Sequence, residues 1–131
     1  MTTEKVLIVD DDESVRWVLK KALEKDGLVT VLAKDAPEAF TRLQEGNIAV
    51  VLMDIRMPGM SGLDALEKMQ GEGRNVSVII MTAQATMQNA IEAMRRGAYD
   101  YITKPFDLDE VNILVRKALE VRHLNQEVDT L

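Results

Sequence analysis

Val6-Leu7-Ile8-Val9-Asp10-Asp11-Asp12 decides how this chain is read. Four apolar residues, three of them β-branched, run without polar interruption into three carboxylates. A short run of this kind suits a strand buried on both faces. The same grammar returns in Ala49-Val50-Val51-Leu52-Met53-Asp54, again an apolar run closed by aspartate. A third segment, Tyr101-Ile102-Thr103, leads into Lys104-Pro105-Phe106. If these runs are neighbouring parallel strands, their carboxyl ends collect acids and a lysine around one pocket.

Further runs lie at Leu28–Leu32, Val76–Met81 and Ala98–Thr103, and all five are expected to be strands. Stretches of helical period separate them. Val15, Val18, Leu19, Ala22 and Leu23 repeat at the spacing of a helix packed on a sheet, and Gly27 fits the residue after its end. Ala36, Ala39, Phe40 and Leu43 form a second stripe, with Pro37 near its start and Gly46 near its end. Leu63, Leu66 and Met69 form a third; Met87, Ala90, Ile91 and Met94, within Thr86–Arg96 and closed by Gly97, a fourth. The last helix starts near Asp107, with Leu108, Val111, Val115, Ala118 and Leu119 as its stripe.

Five strands alternating with five helices imply an α/β fold, a single doubly wound parallel sheet. The most apolar strands, Val6–Val9 and Ala49–Met53, belong at its centre. If they are adjacent, winding reverses between them, and ligands bind in the crevice at their carboxyl ends. Asp10, Asp11 and Asp54 fall at that edge.

The 131 residues make one domain by length. A net charge of −6 argues against a nucleic-acid surface, which would be basic. With no cysteine, disulfide and thiolate chemistry are excluded. No apolar run approaches the roughly 20 residues that span a bilayer, and the start runs directly into the first strand without a signal peptide. The expectation is a soluble, cytoplasmic protein with no membrane partner. Near the end, Val121, Leu124, Val128 and Leu131 are spaced like a heptad seam. Two turns fit either a linker or homodimer contact or a frayed helix.

Magnesium takes hard oxygen ligands, commonly one or two carboxylates with a phosphate oxygen. Asp11 and Asp54 are candidate direct ligands, with Asp10 on a coordinated water or a third position. The competing reading of the acidic run is a helix cap, which suits Asp12, with Ser14, better than Asp10 or Asp11. Asp54 precedes the turn-rich Ile55-Arg56-Met57-Pro58-Gly59-Met60-Ser61-Gly62. Aspartate there can cap a turn or act as a nucleophile that forms an aspartyl phosphate. Lys104 offers a compact charge for a carboxylate or phosphate. Thr82, followed by the small Ala83, offers a hydroxyl to a phosphoryl oxygen or a helix cap. His123 sits on the polar tail as a solvated residue, and Trp17 lies off its helix's core stripe. There is no Gly-rich nucleotide loop.

Four separated motifs, Val9-Asp10-Asp11-Asp12, Asp54 through Gly62, Met81-Thr82-Ala83 and Lys104-Pro105-Phe106, resemble the receiver domain of two-component response regulators. The resemblance covers about residues 4–122. Arg16-Trp17-Val18-Leu19 and Ala98-Tyr99-Asp100-Tyr101 look most like the NtrC-like branch of sigma-54-dependent activators. The resemblance implies the strand order 2-1-3-4-5. It implies a receiver over residues 1–122 and, over 123–131, the start of a helical linker toward output ATPase and DNA-binding domains. It makes Asp54 the phosphoacceptor for a sensor histidine kinase. Asp10, Asp11 and Asp54, with the backbone carbonyl of Arg56, would hold Mg²⁺. Lys104 and Thr82 would contact the phosphoryl group. Tyr101 would be the switch aromatic, and Ala85–Tyr101 with part of the last helix the output face. On this reading the domain is a switch and not an enzyme. The alternatives are a pseudo-receiver, a binding module that is never phosphorylated, and a Mg²⁺-dependent hydrolase using Asp54, which would need a cap insertion that the sequence lacks and a second acid or base, for which it offers no candidate apart from the displaced His123.

Overall fold

The structure, a computed structural model, describes residues 4–83 and 86–130, with side chains as far as Arg122 in the last helix. The elements alternate throughout: β1 (Lys5–Val9), α1 (Glu13–Lys25), β2 (Val29–Ala33), α2 (Ala36–Glu45), β3 (Ile48–Asp54), α3 (Gly62–Gly71), β4 (Ser77–Thr82), α4 (Met87–Arg95), β5 (Asp100–Thr103) and α5 (Leu108–Thr130). The five strands form one parallel sheet in the order β2-β1-β3-β4-β5. Winding reverses between the adjacent strands β1 and β3, whose uninterrupted apolar runs lie in the interior of the sheet.

Alternation of side chains along each strand divides the core between the two faces. Leu7, Val9, Val51, Met53, Val78 and Ile80 pack toward Ala39, Leu43, Leu66 and Met69 of α2 and α3. Val6, Ile8, Val50, Leu52, Ile79 and Met81 pack toward Leu19 and Leu23 of α1 and Val111, Val115 and Ala118 of α5. All these side chains are buried. Burying one such aliphatic side chain contributes about 1.5–3 kcal/mol, so the sheet and these four helices supply most of the stabilising area.

Local chemistry sets the helix ends. Asp12 accepts from the Ser14 amide, Asp35 from Glu38, Ser61 from Asp64 and Thr86 from Asn89. Each satisfies an amide left free by the first turn. Asp107 does the same for Asp109 at the start of α5. Gly27, Gly46 and Gly97 stand at helix ends with positive φ.

Three expectations need correction. Burial on both faces holds for β1, β3 and β4 but not for β2 and β5, which are edge strands and half-exposed. The apolar stripe of the fourth helix does not face the core. Met87, Ile91 and Met94 are 80%, 54% and 51% exposed, and α4 rests on the sheet through Ala93. Periodicity reports that a helix is amphipathic, but the small side chain of Ala93 is what lets this helix approach. Val18, placed in the core stripe of α1, is likewise exposed, while Trp17 lies outside as expected. The helix of α5 runs unbroken through 122 and 123. The seam positions Leu124, Val128 and Leu131, together with His123, lie outside the described side chains, and Ala85 outside the described residues.

Candidate phosphoacceptor site

Register delivers the site. Val9 pairs with Met53 across β1 and β3, so the next residues, Asp10 and Asp54, arrive side by side. Asp54 pairs with Met81, which puts Thr82 one step beyond it, and Thr82 pairs with Thr103, the residue before Lys104. The Lys104 amide donates to the Thr82 carbonyl at 2.7 Å. Four strands therefore end on one rim, and the sequence-expected residues Asp10, Asp54, Thr82 and Lys104 meet there. Asp10, Asp54 and Thr82 are buried, while Asp11 is exposed at the mouth.

Lysine is the cation of the pocket. Its Nζ lies 2.6 Å from Asp10 Oδ2 and 3.6 Å from Asp54 Oδ2. Charge-assisted bonds of this length are the stronger class. Burial by itself lowers the Lys104 pKa, but the bond to Asp10 and the charges of Asp10 and Asp54 outweigh it, so the ammonium is held above its usual range. Asp54 is pushed the other way. Burial raises its pKa, Lys104 opposes the rise, and the neighbouring charges of Asp10 and Asp11 add to it, while the Arg56 amide donates to the carboxylate. The result is a poorly solvated, proton-avid carboxylate beside a committed cation.

Asp10, Asp11 and Asp54 each present a carboxylate oxygen within 4.8 Å of the others. Three hard oxygen donors so close repel one another and match the preference of Mg²⁺, so the donor set fits that ion. An open cleft of about 410 Å³ lies over this corner, lined by Asp11, Ile55, Arg56, Met57, Pro58 and Ser61. Asp12 turns away to cap α1, as expected. Tyr101 stands on the α3–α4 side of β5, half-buried against the core, and burial raises the pKa of its hydroxyl.

Two residues matter here in ways the sequence left unread. Arg16 reaches back from α1 to donate to the carbonyl oxygen of Asp10 at 2.6 Å. Its position four residues after the cap Asp12 places it on the side of the helix that looks back at the turn. Gly62 starts α3 directly against the backbone of Asp54; an added Cβ would sit 2.1 Å from the Asp54 carbonyl oxygen. The motif marked Gly62 as a turn residue, but the contact spans elements.

Comparison with known proteins agrees with this architecture. Residues 6–116 match the response regulator receiver domain family. The chain is 44% identical over 133 residues to the regulatory protein AtoC of Escherichia coli K12, covering 96% of this chain and 29% of that protein. It is 43% identical over 114 residues to the DNA-binding transcriptional regulator NtrC of the same organism, covering 87% and 24%. The chain thus spans less than a third of the curated relatives it matches. Among solved structures, the beryllofluoride-activated NtrC4 receiver domain dimer superposes with a TM-score of 0.85 at 29% identity, covering 90% of this chain and 98% of that one. The motifs, the strand order, the acid–lysine rim and these likenesses together place the chain in the response regulator receiver family, with AtoC and NtrC among its relatives.

Proposed function

We propose that this receiver accepts a phosphoryl group on Asp54 from a sensor histidine kinase and relays the event to an output domain. The observation that carries the reading is the rim on which Asp54 lies beside Asp10 and within 3.6 Å of Lys104. An Asp54 carboxylate oxygen forms the new P–O bond as the P–N bond of the donor phosphohistidine breaks and its electron pair returns to the imidazole. Burial strips Asp54 of much of its hydration, so less water must be displaced for attack. Asp10, Asp11 and Asp54, with the backbone carbonyl of Arg56, would hold Mg²⁺. When bound, that ion neutralises charge on the phosphoryl oxygens.

Lys104 lies close enough to Asp54 to turn to a phosphoryl oxygen there, and Thr82 offers its hydroxyl from the end of the adjacent strand. Movement of Thr82 opens space on the side of β5 where Tyr101 stands. A change of Tyr101 rotamer then shifts α4, whose Met87, Ile91 and Met94 already face outward. Phosphorylation acts by stabilising one of two arrangements more than the other. Beside Lys104, Val15, Val18, Pro105 and Phe106 line an apolar cleft of about 300 Å³, a fitting approach surface for the donor protein. Residues 1–122 make up the receiver. The continuing helix leads toward output ATPase and DNA-binding domains and offers a surface for a homodimer.

Intact-mass spectrometry after incubation with Mg²⁺ and acetyl phosphate tests the reading. One added phosphoryl group is expected, absent in Asp54→Ala and after chelation. Tyr101→Ala should keep the adduct and lose output. No adduct in a chain that still binds Mg²⁺ would replace this reading with that of a pseudo-receiver.

A further inference from the structure

We propose that Arg16 is a positioning residue for the cation site, holding the Asp10–Asp11 turn in its binding geometry through the peptide oxygen of Asp10. The proposal rests on the acidic-site reading above and names a residue outside it.

The Arg16 guanidinium donates from Nη1 to the Asp10 carbonyl at 2.6 Å, in a partly buried setting. The peptide between Asp10 and Asp11 is a rigid plane. Fixing its oxygen therefore fixes the direction of the Asp11 amide and the point from which the Asp11 side chain departs. The rest of the turn is tied to the same frame. Asp10 Oδ1 accepts the Asp12 amide at 2.9 Å, and the Arg16 amide donates to the Asp12 carbonyl at 3.2 Å. Arg16 thus contacts the turn twice, once through its own backbone and once through its side chain. Asp10 itself is anchored upstream by its amide, which donates to the Ala33 carbonyl at 3.2 Å. Arg16 bonds the carbonyl of the peptide that follows Asp10, a second hold on that peptide beside the Asp12 amide bond to Asp10 Oδ1.

The choice of acceptor matters. A guanidinium forked onto the Asp10 carboxylate would compete with a cation for its oxygens. Bonded to the peptide oxygen, Arg16 makes no further demand on the Asp10 carboxylate, whose Oδ1 accepts the Asp12 amide and whose Oδ2 accepts from Lys104. Groups that orient ligands in this way typically change metal affinity by about 10–100-fold when removed.

The test is isothermal titration of the metal-free full chain with Mg²⁺, comparing wild type with Arg16→Ala, Arg16→Lys and Arg95→Ala, an exposed arginine of α4. Arg16→Ala is expected to raise Kd about tenfold or more. Arg16→Lys, which keeps the charge on a shorter reach, should fall between, and Arg95→Ala should match wild type. The Asp11 and Asp12 amide resonances should shift in metal-free Arg16→Ala. A Kd within twofold of wild type in Arg16→Ala, or an equal loss in Arg95→Ala, overturns the proposal. A wild-type chain that takes up no Mg²⁺ overturns the acidic-site reading and this one with it, whereas normal wild-type binding with an unchanged Arg16→Ala overturns this one alone.

Discussion

Replacing Gly62 by alanine should damage this protein out of proportion to one methyl group. The new Cβ would lie 2.1 Å from the carbonyl oxygen of Asp54 and 2.9 Å from both its carbonyl carbon and Ile55 Cα. These neighbours are backbone, so no side chain can rotate away. To reach ordinary contact of about 3.5 Å, the first turn of α3 and the end of β3 must part by more than an ångström. That movement breaks the Gly62 amide bond to the Ile55 carbonyl, now 2.8 Å. Overpacking costs about 1–3 kcal/mol and the lost bond about 1 kcal/mol, so the expected loss is about 2–4 kcal/mol. For a domain of this size that lowers Tm by roughly 6–15 °C. Gly71→Ala is the matched control: no heavy atom stands within 4 Å of its added Cβ, so helix propensity alone acts and stability should hold or rise by up to about 1 kcal/mol. Urea unfolding of both variants is the assay. Because the displaced atom belongs to Asp54, Gly62→Ala should also phosphorylate more slowly from acetyl phosphate. A Gly62→Ala chain within about 0.5 kcal/mol of wild type, a margin typical of harmless surface changes, would refute the reasoning.

Lys104→Met removes the cation between Asp10 and Asp54. Breaking a buried pair costs about 3–5 kcal/mol; the Lys104 side chain is 19% exposed, so about 2–3 kcal/mol is expected by urea unfolding at neutral pH. Lys104 has a raised folded-state pKa, so its contribution is fully present below its unfolded value and is lost as pH rises through the folded one. The gap between wild type and variant should accordingly persist through neutral pH and close as pH rises on the alkaline side, and a gap that closes near neutrality would count against the pairing. Asp54 carries the opposite sign. Its folded pKa is raised above its ordinary value, first by burial, so its ionisation opposes folding at neutral pH and ceases to do so as pH falls through the folded value. Metal-free Asp54→Asn should therefore melt higher than wild type at pH 7, with the advantage shrinking in acid; equal midpoints at pH 7 would show that Asp54 carries no such penalty. Saturating Mg²⁺ should reverse this order, since a ligand at 100 times its Kd stabilises its binder by about 2.7 kcal/mol and Asp54→Asn lacks one donor; a midpoint of wild type unmoved by Mg²⁺ would argue against the site.

Local chemistry was legible in the sequence by itself. The apolar runs Val6–Val9 and Ala49–Met53 announced buried central strands because only both-face burial tolerates such continuity. Asp12, Pro37 and Gly27 announced helix ends because free amides and carbonyls there need particular partners. Acids at two strand ends and a lysine at a third announced the rim, since a parallel sheet brings those ends together. What tertiary structure decided was every relation between residues distant in the chain. Lys104 bonds Asp10 across 94 positions and stands farther from Asp54, a choice set by strand register. Helical period identified the stripe of α4 but not its direction, and the helix turned Met87, Ile91 and Met94 outward because Ala93 was the face that fitted the sheet. The same holds for Gly62 against Asp54 and for Arg16 on the Asp10 carbonyl: periodicity reports one element's own symmetry, whereas contact depends on how two elements are brought together.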